Sequence, residues 1–251
     1  MSLFNEKLKK ITLKEMLILI IVLFLIQYSV NCLNIVHIDS FWIYIVMIFY
    51  FIYKLKDGFS TVRKDISEVF DFQLLKIIFA MVILNIFLSY GMLYLSDFIL
   101  NLVPVFSLFK TPSFLTGSLI ATIVVSPISE ELIFRGVFLN RLKLIVPAIF
   151  AVLISSLLFA ALHSFGSIFA AFIFGICVAL LYLKTDNIFV PIFAHFLNNL
   201  FAEIMVIIDS NNILFTDSMV MALMSILAVV SFALILYSII RQFKILNNND
   251  L

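Results

Sequence analysis

Two glutamates, Glu130 and Glu131, stand side by side in an apolar stretch and are followed four residues later by Arg135. Two of the three histidines, His163 and His195, lie in apolar stretches farther along the chain. General acid–base chemistry needs a base to take up a proton and donors aimed where negative charge develops. A carboxylate and imidazoles can supply both.

Spacing separates the two glutamates. Glu131 and Arg135 are at i and i+4, where a carboxylate and a guanidinium meet on one helix face, so Glu131 is expected to be paired. Glu130 is turned about 100° away and has no basic residue one turn along in either direction, which leaves it free for general-base work. His163 ends the run Phe159-Ala160-Ala161-Leu162-His163, just before a break expected at 164–166. His195 shares a face with Asn199 at i+4. His37, expected in an outer loop, carries no such argument. One Glu and two His are also a catalytic zinc set with an open fourth position. The HExxH spacing of zinc proteases is absent, so no metal is the favoured expectation, with one zinc ion on Glu130, His163 and His195 as the alternative.

The elements that must hold these groups are membrane helices. Of 251 residues, 64% are hydrophobic and 12% charged. A soluble domain carries about half and a quarter respectively, and too few charges are present here to build a water-facing surface. A net charge of +1 gives no field for nucleic acid, and Cys32 and Cys177, in separate apolar runs, make neither a disulfide framework nor a metal cluster. The basic N-terminus followed by a long apolar run predicts an uncleaved first span.

At about twenty apolar residues per crossing, the expected spans are 16–36, 41–53, 74–95, 114–142, 144–163, 168–183, 188–208 and 219–240. The fold class is therefore all-α, a polytopic bundle of about eight spans forming one integral membrane domain over 1–251. Lys and Arg collect at the N-terminus, at 54–64, 135–143, Lys184, Arg241 and Lys244, which predicts cytoplasmic termini and a multi-pass protein of the cell membrane. Spans one, two, three and eight are expected only to sit in lipid. The region 126–203 instead holds Glu130, Glu131, Arg135, His163, His195, Asn198, Asn199 and Glu203. An ionisable group at a span centre costs about 2.5 to 3.5 kcal/mol, so several together point to a functional site.

A turn near 143–146 would put Glu130 beside roughly residue 160, about one helical turn from His163. The same counting leaves His195 on the order of 10 Å nearer the cytoplasm than His163.

The set Glu130-Glu131-Leu132-Ile133-Phe134-Arg135, Phe159 to His163 and His195 to Asn199 resembles the EExxxR, FxxxH and HxxxN motifs of the CAAX prenyl endopeptidase and bacteriocin-processing family, also called the Abi or CPBP family. The motifs occur in the family's order on separate predicted spans, within a family-like core of about 114–208. The resemblance implies a helical intramembrane endopeptidase whose site opens from the cytoplasmic side to a protein or peptide substrate. It implies that Glu130 and His163 activate water, that His195 and Asn199 stabilise the oxyanion, and that Glu131 and Arg135 support them. Substrates it would allow are CaaX-type proteins and bacteriocin or signal peptides. Competing classes are a proton- or ion-coupled transporter using the same Glu and His residues, and a non-catalytic scaffold or immunity protein.

Overall fold

The computed structural model describes residues 2–33, 40–102, 118–163 and 167–249, all of whose regular structure is helical. The helices are α1 (Leu3–Lys10), α2 (Leu13–Cys32), α3 (Ser40–Leu55), α4 (Phe59–Val69), α5 (Phe72–Leu102), α6 (Ser126–Glu131), α7 (Asn140–Leu142), α8 (Ala148–Ala161), α9 (Ile168–Thr185), α10 (Phe189–Ile208), α11 (Ile213–Thr216) and α12 (Ser218–Asn249). A polytopic helical bundle is what the composition demands, because in hydrocarbon each backbone polar group must be satisfied within its own helix.

Among the described residues, five helices are long and apolar enough to cross a membrane: α2, α5 over Phe72–Ser96, α9, α10 and α12. The other three expected spans differ from the simple pattern. The 41–53 run is α3, of 16 residues, and 144–163 contracts to the 14-residue α8, because 143–146 form a turn and Pro147 precedes its first residue. The 114–142 run starts outside the described residues, and from residue 121 it alternates between π- and α-helical winding. The break expected at 164–166 also lies outside the described residues.

Helix α2 buries only Met16, and its outward apolar face includes Ile21, Leu25 and Tyr28, as a lipid-facing helix requires. Helices α5 and α12 cross closely at Gly91, where an added Cβ would lie 2.2 Å from Ala228 Cβ. Small residues at such crossings let helix backbones pack by van der Waals contact, since lipid tails remove the hydrophobic drive.

The basic loops gather at one end of the bundle. Asn5 Oδ1 accepts from the Ile188 N–H at 3.0 Å, and Asn187 Nδ2 donates to the Asp65 carbonyl at 2.7 Å. Arg141 Nε donates to the Ile11 carbonyl at 2.7 Å, Lys54 pairs with Glu15 at 2.5 Å, and Lys7 and Lys9 pair with Asp57 and Asp186. At the opposite end Tyr94 donates to the Leu214 carbonyl at 2.8 Å, and the Asp209 carboxylate accepts from the Ile213 and Leu214 N–H groups. Short amphipathic α1 belongs to the first end: Phe4 packs on Phe59 and Phe189, and Leu8 fills the space beside Gly136.

Candidate active site

Helix α6, which carries Glu130 and Glu131, is flanked by π-helical stretches at Ala121–Val125 and Leu132–Leu139. The wider π turn bonds i to i+5 and is frequent at functional sites. Side chains serve the carbonyls of both stretches. Asn140 Nδ2 donates to Arg135 O at 3.1 Å and Gly136 O at 2.8 Å, Ser155 Oγ to Phe134 O at 3.1 Å, and Asn199 Nδ2 to Thr122 O at 2.9 Å.

Glu131 and Arg135 form the pair their spacing predicts, at 2.9 Å, and both are fully buried. Two other helices also contact the guanidinium, while its Nε has no hydrogen-bond partner among the described residues. Nη2 donates to the Gly175 carbonyl of α9 at 3.0 Å, and the group lies 4.4 Å from the centroid of the Phe159 ring on α8. Residue 175 is tightly enclosed: a Cβ would meet Ser156 Cβ at 3.0 Å and Arg135 Nη2 at 3.3 Å, so the neighbours would have to give way slightly.

Glu130 is not free, contrary to expectation. Its Oε1 accepts from Tyr44 Oη at 2.8 Å and from Ser126 Oγ at 2.5 Å. Its Oε2 is buried and has no hydrogen-bond partner among the described residues. Helix spacing could have found Ser126, one turn before Glu130. Tyr44 has no such signal, and its presence corrects the view that the 41–53 helix only sits in lipid. The 74–95 helix is corrected in the same way, since Asn85 donates to Asn198 Oδ1 at 2.9 Å.

His163 and His195 converge on Glu130. One ligand atom from each of the three lies within 4.8 Å of the others, and Glu130 Oε2 is 4.0 Å from His195 Nε2. The two imidazoles stack with centroids 6.2 Å apart, so the offset of about 10 Å expected from ideal helices is not found. The short α8, which ends before His163, and the π-helical winding at 132–139 alter the depth that uninterrupted α-helices would give. His195 is packed edge-on by Phe159 and Phe174, and its Nδ1 is 2.9 Å from Glu131 Oε1. Glu131 therefore bridges Arg135 and His195, a link that sequence spacing does not reveal. Asn199 lies one turn beyond His195, and none of its hydrogen bonds here reaches Glu130 or His163. It joins the chain Asn85, Asn198, Asn199, Thr122, in which Asn198 Nδ2 is 3.4 Å from Asn199 Oδ1.

The sequence pattern of the type II CAAX prenyl endopeptidase Rce1-like family matches residues 111–201, which contain every one of these motif residues. In this segment the chain is similar to the CAAX prenyl endopeptidase family. A Bacillus subtilis (strain 168) protein named "Putative membrane peptidase YdiL" is 39% identical over 88 residues, covering 35% of this chain. The match spans 36% of that protein's length. No solved structure matches significantly. The family likeness thus covers the region that brings Glu130, His163 and His195 together, and leaves out α3 and α5, which contribute Tyr44 and Asn85.

Proposed function

We propose that the protein is an intramembrane endopeptidase that hydrolyses a peptide bond of a membrane-associated protein or peptide reaching the site from the cytoplasmic side. The observation that carries this reading is the meeting of Glu130, His163 and His195 within 4.8 Å among membrane helices. Three ionisable groups held at that depth imply chemistry rather than lipid contact.

Glu130 Oε2 is the oxygen left for a reacting water, and one water molecule could bridge the 4.0 Å to His195 Nε2. In the proposed step Oε2, aided by His163, takes a proton from water as the water oxygen bonds to the scissile carbonyl carbon. The proton then passes to the leaving nitrogen as the C–N bond breaks. Negative charge on the carbonyl oxygen calls for donors, which His195 can supply through Nε2–H and Asn199 through its second amide hydrogen. Glu131 orients the imidazole by facing Nδ1.

The donor set also suits zinc, which Glu130, His163 and His195 would hold and which would contribute Lewis-acid polarisation and an acidified water. The buried, unpartnered Oε2 and the carboxylate behind His195 are both features of such sites. Yet donors bonded tetrahedrally at about 2.0 Å stand roughly 3.3 Å apart, closer than the 4.0 Å between Glu130 Oε2 and His195 Nε2. The metal-free glutamate mechanism is the reading we favour.

The test uses purified protein in liposomes and an internally quenched farnesylated peptide ending in a CaaX sequence. Wild type should cleave it, and Glu130→Ala, His163→Ala and His195→Ala should not, while all three still insert and fold. Asn199→Ala should lose on the order of a hundredfold in kcat. Full activity in Glu130→Ala would end the assignment to this site.

A further inference from the structure

The two oxygens of Glu130 have different surroundings. Oε1 receives hydroxyls from Tyr44 and Ser126, while Oε2 has no partner among the described residues and lies toward His195 Nε2. We propose that Tyr44, outside the matched segment 111–201, is a positioning residue for the hydrolysis: its hydroxyl pins Oε1 so that Oε2 is the oxygen offered to the reacting water. This rests on the endopeptidase reading above.

A glutamate's terminal torsion has a broad, two-fold profile, so an unrestrained carboxylate presents either oxygen. Ser126 limits that rotation only in part, because it sits on the same helix as Glu130 and moves with it. Tyr44 comes from a separate helix and ties the carboxylate to the frame of the bundle. That helix is seated firmly beside α6, with Ile43, Met47 and Phe51 buried along its packed face. Tyr53, on the same helix, is 71% exposed, so not every tyrosine of α3 points inward. The hydroxyl of Tyr44 is spent on the one carboxylate that the mechanism needs, in a medium where a polar group without a partner is costly. Helix α3 is then a component of the active site.

Tyr44→Phe removes the hydroxyl and keeps the ring. With the farnesylated CaaX peptide and protein in liposomes, kcat should fall roughly tenfold while KM stays within about twofold, since the lost interaction orients the base without binding substrate. Infrared difference spectra should show a carboxylate band displaced by Tyr44→Phe, and that difference should vanish in a Glu130→Gln background. Tyr53→Phe should leave both readouts at wild-type values. Wild-type kcat in Tyr44→Phe overturns the proposal. So does a lowered kcat without the Glu130-dependent band, which would reveal only a packing role. If wild type and Glu130→Gln are equally inactive on the peptide, the endopeptidase reading falls, and the infrared band alone decides whether Tyr44 holds the carboxylate.

Discussion

Glu131 Oε1 lies 2.9 Å from His195 Nδ1 and receives Arg135 Nη1 at the same distance. One oxygen thus ties the guanidinium and the imidazole together, although the two side chains come from different segments of the bundle. A carboxylate facing Nδ1 fixes that nitrogen as the donor, so the chemistry of His195 is left to Nε2, the nitrogen turned toward Glu130. The second glutamate of the motif orients a histidine as well as balancing a charge.

Glu131→Gln should therefore lose stability and activity together. Its amide cannot neutralise Arg135, which is fully buried, and breaking such a pair costs about 3 to 5 kcal/mol. Thermal unfolding in detergent should show a large drop in Tm, and the fraction that remains folded should cleave peptide more slowly because His195 has lost its anchor. An unchanged Tm with reduced kcat would mean that the pair contributes little and that orientation of His195 is the main role.

Part of this site is legible in the sequence, and the limit is physical. Two residues four apart on one helix share a face whatever the rest of the fold does, so Glu131 with Arg135 and His195 with Asn199 can be read from spacing. Contacts between helices depend on rotation and depth, which spacing does not encode. Tyr44 is one hydroxyl in an aromatic run, and Asn85 is one amide in a lipid-facing run. Local winding is hidden as well: residues 132–139 have ordinary helix-forming composition, and their π geometry appears only with the donors, Asn140 and Ser155, that serve the widened turn. The short helices α1 and α4 lie in stretches too polar to be sought as spans. Helix α1 is capped by Ser2, whose side chain accepts from the Asn5 N–H.

Asp65, in α4 at the basic end and outside the spans, gives a pH-dependent prediction. Burial pushes its carboxyl above the usual range, and Oδ2 has no partner among the described residues. For an acid whose folded pKa is raised, ionisation opposes folding, so the penalty is present above the folded pKa and absent below the unfolded one. Asp65→Asn should raise Tm at pH 7, with the gain disappearing as the pH falls below about 4. A gain that persists in acid would point to packing instead of charge.

The topology prediction joins the Lys and Arg bias to the gathering of α1, α4 and the loops around 140–146 and 185–188 at one end of the bundle. With that end cytoplasmic, a membrane-impermeant thiol reagent applied to intact cells should spare Lys56→Cys and label Asp209→Cys. Native Cys32 must first be replaced, because it is exposed at the far end of α2. The reverse labelling pattern would invert the protein in the membrane while leaving the bundle itself intact.

The metal prediction separates two mechanisms that share the same side chains. If Glu130 is a general base, its deprotonation sets the acidic limb of the rate profile, and activity needs no ion. If zinc is required, Glu130, His163 and His195 are ligands, and an acidified water also gives a rise near pH 7, so the pH profile alone does not discriminate. Metal content combined with stripping does. The 4.0 Å between Glu130 Oε2 and His195 Nε2 is wider than a zinc shell, and the hydroxyls of Tyr44 and Ser126 already hold the other carboxylate oxygen. Purified protein is expected to carry substoichiometric metal and to keep its activity after dialysis against a chelator. The chelator should be removed before the assay, since 1,10-phenanthroline can inhibit by binding protein directly. About one zinc per chain, with cleavage lost on stripping and recovered on re-addition, would overturn the glutamate mechanism. It would also require the three donors to close by several tenths of an ångström, bringing Glu130 Oε2 and the two imidazoles onto one ion, and the site residues themselves would stand.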